Sequence, residues 1–168
     1  MSVSEELLDV VDENDRLIGV KTRGEIHARG LMHRAVHILV FNSAGDLFLQ
    51  KRSLSKDENP GLWDSSAAGH VDSGEEYLDC ARREIAEELG IQADSPFEFL
   101  FKLPASAATG FEHSMIYRYA YDGDLTLQRD EIDAGLWISP DAMDRRVAAR
   151  DPEFTENLFV IWERYRAC

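Results

Sequence analysis

Residues 69–91 read GHVDSGEEYLDCARREIAEELGI and carry Asp72, Glu75, Glu76, Asp79, Glu84, Glu87 and Glu88. Seven carboxylates in so short a segment repel one another unless cations sit among them. Arg82 and Arg83 cannot neutralise them all. Hard oxygen donors at this density are of the kind that can form a cage for metal ions. The bland alternative is the wet face of an amphipathic helix, because charge runs are commonly solvated. At about 100° per residue, Glu84 and Glu88 fall one turn apart with Glu87 beside them. Arg83 and Glu87 are spaced to pair and hold the carboxylates in place.

Positioning these groups requires a helix through the segment. Ser73 and Glu76 have the spacing of a capping box. Leu78, Ala81, Ile85 and Leu89 form a stripe expected to pack on a sheet, with the carboxylates well round from it. Gly90 is a natural stop. Before it, LLDVVDENDRLIGVKTR reads as two strands around the turn signal Asp12-Glu13-Asn14-Asp15, and Thr22 can cap a short helix. AVHILVF and DLFLQKR, separated by Asn42-Ser43-Ala44-Gly45, read as a β-hairpin. FEFLFKL, HSMIYRYAY and LWIS are further strand candidates. A last helix is expected with Asp151 as N-cap and Pro152 as its first residue, placing Phe154, Leu158, Ile161 and Tyr165 on one face. Strands and helices intermix without strict alternation, which favours an α/β (α+β) fold with a mixed sheet.

The chain has 168 residues and reads most simply as one domain, 1–168, with an N-terminal β-hairpin extension at about 8–30. Its net charge is −14, from 32 acidic against 18 basic residues, which disfavours nucleic acid and anionic membrane as partners. The same field repels a phosphate compound unless cations are imported or a few Arg and Lys converge locally. No apolar run approaches a membrane span, and the acidic start lacks a secretory apolar core. Cys80 and Cys168 make no framework, so a reducing cytoplasm is the expectation.

Gly69, five residues, Glu75, seven residues and then Arg83-Glu84-Ile85-Ala86-Glu87-Glu88-Leu89-Gly90-Ile91 resembles the Nudix hydrolase signature at every fixed position. That resemblance implies a Nudix fold, a mixed β-sheet sandwiched between helices, with the box at 69–91 as a loop–helix–loop. It implies Mg²⁺- or Mn²⁺-dependent hydrolysis of a diphosphate linkage in small nucleotides, nucleoside di- or triphosphates first. By position, Glu84, Glu87 and Glu88 are the metal carboxylates, and Gly69 offers its carbonyl. Glu87 and Arg83 count among the catalytic residues, with Glu75 and Arg83 orienting loop and helix. Family habit adds a homodimer as an expectation.

LMHRAVHILVFNSAGDLFLQKRSLSKDENPGLWDSSAAGH is also similar to a region of isopentenyl diphosphate isomerase, a Nudix-fold enzyme. Its catalytic Cys is replaced here by Ala68, and its catalytic Glu position on a later strand by Ser114. Isomerases carry a degenerate box, whereas this one is intact, so the chain resembles an isomerase-like Nudix hydrolase. Isomerase activity and a noncatalytic ligand-binding domain are the alternative readings. The isomerase's His-based metal site has counterparts in His33 and His70, with His27 nearby and Glu112 as an acidic ligand. A structural, hydrogen-bonded role is the competing reading for each His, and His37 and His113 are weaker ligands.

Glu131 stands six residues before Trp137, a placement similar to the catalytic Glu of Nudix enzymes that sanitise nucleoside triphosphates. It is the first candidate for general base, with Glu112 second. For substrate phosphates, Lys51 and Arg52 end a strand before Pro60-Gly61-Leu62-Trp63; Arg34 and Arg118 are further candidates. Trp63 is a candidate to stack on a base, against a local packing role.

Overall fold

In the computed structural model, which describes residues 3–168, the first described element is a short 3₁₀ turn at Val3–Glu5. Strands β1 (Leu7–Val11) and β2 (Leu17–Thr22) pair antiparallel as a separate two-stranded sheet. Asp12 makes their turn by accepting the Asn14 and Arg16 amides on Oδ1 at 2.8 and 2.9 Å. Thr22 then caps α1 (Arg23–Arg29), accepting the Glu25 amide at 3.2 Å.

The main sheet contains β3 (His33–Phe41), β4 (Leu47–Arg52), β5 (Trp63–Asp64), β6 (Ala67–His70), β7 (Glu98–Leu103), β8 (Glu112–Ala120) and β9 (Ile132–Ile138). β3 runs parallel to β8; the other pairings are antiparallel. Three helices cover it: α2 (Tyr77–Leu89), α3 (Pro140–Ala148) and α4 (Glu156–Ala167). Alternation splits the core into two layers. Val36, Ile38, Val40 and Phe48 pack with Cys80, Ala81, Ile85 and Leu89 of α2. Leu39, Phe41, Leu47 and Leu49 pack on the other face with Met143, Val147, Leu158, Ile161 and Trp162. This is a mixed sheet between helices, as the sequence implied. No helix among the described residues is long and apolar enough to cross a membrane.

The expected hairpin between β3 and β4 is the main departure. Asn42–Asp46 forms the turn, but the strands pair only at Phe41 and Leu47 and then part. β3 takes β6 and β8 as partners, and β4 takes β5 and β9. The segment from β5 to β6 crosses the opening, with Ser66 Oγ accepting the Val40 amide at 2.8 Å on one side and donating to the Phe48 carbonyl on the other.

Three helix expectations also change. α2 starts at Tyr77 without a capping box: Glu76 makes no side-chain cap, and Ser73 Oγ instead donates to Asp9 Oδ1 at 2.8 Å. Leu78 is exposed, so the buried stripe is Cys80, Ala81, Ile85 and Leu89. The last helix is capped by Thr155, which accepts the Leu158 amide at 3.1 Å, not by Asp151. Asp151 accepts from the Glu153 amide and Arg146 Nε in a preceding turn. The sequence reading also lacked α3, whose start is marked by Ser139 as N-cap and Pro140 in the first turn.

Candidate active site

Glycine at position 69 is a steric requirement. A Cβ there would stand 2.2 Å from both Cδ and Oε1 of Glu84. Because β6 passes this close to α2, Glu84 and Glu88 are buried at 8% exposure each, which argues against the alternative of a solvated helix face for these two. Glu87 stays open to water. All three line a cavity of about 470 Å³, together with Gly69, Arg83 and Glu131. Both parts of the divided sheet supply its walls, with Ala35 and His37 from β3 and Arg52 from β4.

Arg83 ties the box together. Its Nε and one terminal nitrogen each meet Glu75 at 3.0 Å, a bidentate pair. Its other terminal nitrogen donates to Glu84 Oε1 at 2.7 Å and to Glu87 at 3.4 Å. It also donates to the His70 carbonyl at 3.2 Å. Glu88 is held from the sheet side: Gln50 Nε2 and the Ala68 amide donate to its Oε1 at 2.8 and 3.1 Å. Even so, burial and then the charge of Glu88 push the Glu84 carboxyl up to about 9. Burial likewise raises Glu88, against the hydrogen bonds it accepts. Two carboxyls built to face one cavity are thus reluctant to ionise without a cation.

Cations line the same cavity. Lys56 reaches across to the Glu131 carboxylate, and burial followed by the nearby Arg52 lowers its pKa. Arg52 Nε donates to the Glu58 carbonyl at 3.0 Å, and its NH1 stands 3.8 Å from Asp64. Arg23 joins from the start of α1, 3.5 Å from Asp57. Lys51, one residue from Arg52, does not line the cavity, since neighbouring strand residues face opposite ways. Arg34 is engaged elsewhere, 2.6 Å from Asp15 and 3.4 Å from Asp9. Trp63 packs against the core layer under α4, and Arg118 lies over the Phe41 ring.

Three histidines converge around His70, which lines the cavity together with Glu112. Ligand atoms of His27, His33 and His70 lie within 4.8 Å of one another. His70 Nε2 meets Glu112 Oε2 at 2.8 Å. His33 Nε2 is 3.4 Å from the same oxygen, within ion-pair reach, but is buried without a well-formed hydrogen bond. Burial opposes ionisation of Glu112, yet its contacts with His33 and His70 outweigh it and hold the carboxyl below the usual range. His37 is turned to Ser65 Oγ at 2.7 Å, and His113 to the Asp12 carbonyl at 2.9 Å.

Gln50, Lys56 and Arg23 were not singled out from sequence. Gln50 carried one local sign, its position two residues before Arg52 on the same strand face. The roles of Lys56 and Arg23 depend on a loop and a helix folding over the cavity.

A family model described as the NUDIX domain matches residues 31–158. This chain belongs to the Nudix family. A Pseudomonas aeruginosa protein named as the uncharacterized Nudix hydrolase PA4841 is 42% identical over 139 residues, covering 81% of this chain and 80% of the relative. The Escherichia coli K12 uncharacterized Nudix hydrolase YfcD is 35% identical over 156 residues, 90% of this chain and 82% of its own. Among solved structures, DR0079 from Deinococcus radiodurans superposes with a TM-score of 0.84 at 30% identity, covering 95% of this chain and 98% of that one. With its relatives named as hydrolases, the chain is a Nudix hydrolase, and the cavity on the Nudix box is its candidate active site.

Proposed function

We propose that this Nudix hydrolase cleaves a diphosphate linkage of a small nucleotide, nucleoside di- and triphosphates first, with Mg²⁺ or Mn²⁺ bound by Glu84, Glu87, Glu88 and the Gly69 carbonyl. The observation that carries the reading is the pair of buried carboxyls, Glu84 and Glu88, facing a cavity that also collects Arg23, Arg52 and Lys56. The donor set fits the ion: oxygen ligands alone, brought close by a glycine that leaves Glu84 room, with proton affinities raised by burial and, at Glu84, by the charge of Glu88. A bound divalent ion supplies charge neutralisation at the phosphoryl oxygens and favours ionisation of a water.

The chain's own groups account for the rest. Arg83 fixes the directions of Glu84 and Glu87. Arg52, Lys56 and Arg23 offset the −14 charge that would repel an anionic substrate. Glu131, across from the box, is the group proposed to accept the proton of the attacking water, once Lys56 turns to the phosphate. The His27, His33, His70 and Glu112 cluster is proposed as a second, nitrogen-rich metal site. Isomerase chemistry is disfavoured because Ala68 offers no thiol and Ser114, buried on β8, no carboxyl.

The test is release of phosphate and mononucleotide from a panel of nucleoside di- and triphosphates and dinucleotides, with Mg²⁺, with EDTA and with Glu88→Gln. Metal-dependent turnover that collapses in the variant supports the reading. Turnover unaffected by EDTA and by Glu88→Gln would sink it.

A further inference from the structure

Glu88 is held by a side chain from a different element. Gln50 lies on β4, is 4% exposed, and alternates with Phe48 and Arg52 on the strand face turned to α2 and the cavity. Its Nε2 donates to Glu88 Oε1 at 2.8 Å and to the Ser66 carbonyl at 3.2 Å. Both neighbours are acceptors, so a flipped amide would set its own oxygen against a carboxylate and a carbonyl. The surroundings therefore fix the amide in one orientation.

The Ala68 amide donates to the same Glu88 oxygen at 3.1 Å. Both donors meet Oε1, and neither takes Oε2. Gln50 reaches Glu88 only because β3 and β4 part after Phe41 and Leu47; the Ser65–Ser66 crossing occupies the opening, and the amide spans from Ser66 to α2.

We propose that Gln50 is a positioning residue for metal binding: it holds Glu88 in one rotamer, blocks Oε1, and presents Oε2 to the cation. The inference rests on Glu88 being a metal carboxylate, as proposed above. Outer-sphere partners of this kind typically change metal affinity by roughly 10–100-fold.

The experiment is a Mn²⁺ titration followed by electron paramagnetic resonance of the free ion, without substrate. It compares wild type, Gln50→Leu, Glu88→Gln and the double variant, with melting temperatures as a folding control. Gln50→Leu is expected to weaken Mn²⁺ binding by roughly 10–100-fold, and to add no further loss in the Glu88→Gln background, because its effect passes through Glu88. Unchanged affinity in Gln50→Leu, or losses that simply add, would overturn the proposal. Gln50→Met carries the same comparison if Gln50→Leu does not fold; failure of both to fold would assign Gln50 to the core and overturn it as well. Absence of Mn²⁺ binding in folded wild type would instead overturn the metal-site reading itself, and this inference with it.

Discussion

The ammonium of Lys56 lies against the carboxylate of Glu131, joining a loop after β4 to the residue that precedes β9 across the acidic cavity. The pair brings the candidate base and a candidate phosphate ligand into contact, so substrate and Glu131 compete for one cation. Replacing Lys56 by Met is expected to raise KM by about tenfold for a nucleotide substrate, the loss of one charge-assisted contact. Lys56→Arg should recover part of it. Steady-state kinetics checks this, and an unchanged KM in Lys56→Met would remove Lys56 from the substrate site.

Gly69 supplies a sharper test of the box geometry. In Gly69→Ala the new methyl would overlap the Glu84 carboxyl, 2.2 Å from the ideal Cβ position. Either Glu84 swings out or β6 shifts away from α2. Both outcomes should weaken Mn²⁺ binding by at least about tenfold, since a displaced ligand costs more than a disturbed outer-sphere partner. Isothermal titration with Mn²⁺ reads the change; wild-type affinity would show that the close approach has no bearing on the metal.

The buried carboxyls predict an unusual pH dependence for the metal-free protein. Glu84 in the folded state holds its proton up to about 9 against an ordinary value of 4.5. The folded state therefore binds more protons than the unfolded chain across that window. This contribution to stability is full below about 4.5 and is lost as pH rises towards 9. Glu75 and Glu112 have the opposite sign. Burial opposes their ionisation, but Arg83 on Glu75 and the His pair on Glu112 outweigh it and depress both pKa values. Their contribution is lost as pH falls through those lowered values. Melting temperature in EDTA should decline from mildly acidic to alkaline pH, and Mg²⁺ should flatten the alkaline limb. A melting temperature in EDTA that rises steadily up to pH 9 would contradict the burial of Glu84.

The histidine cluster predicts a second, chemically distinct ion. Zn²⁺, which favours nitrogen ligands, should bind the His27, His33 and His70 group, while Mg²⁺ should not. His33→Gln should remove one Zn²⁺ equivalent and leave the Mn²⁺ affinity of the carboxylate site within about twofold. Equal Zn²⁺ stoichiometry in wild type and variant would show that the cluster is a structural stack.

The residues themselves determine the chemistry of the box: Gly69, Glu75, Arg83, Glu84, Glu87 and Glu88 follow a spacing that one helical period can turn into a shared site. They also determine the local starts and stops that one or two side chains can make, such as Thr22 before α1 and Gly90 after α2. Where two local signals competed, sequence reading misplaced the cap: Ser73 was drawn to Asp9, and Thr155 rather than Asp151 began the last helix. Tertiary structure decided what distance along the chain hides. A turn sequence fixes how β3 reaches β4, but not that the two strands then part and take other partners, because backbone hydrogen bonds carry no record of side-chain identity. That parting lets Gln50 reach Glu88, and β6 presses Gly69 onto Glu84, so carboxylates that look solvated by period alone become buried. Lys56 meets Glu131 for the same reason: residues far apart in sequence come together only when the sheet between them is built.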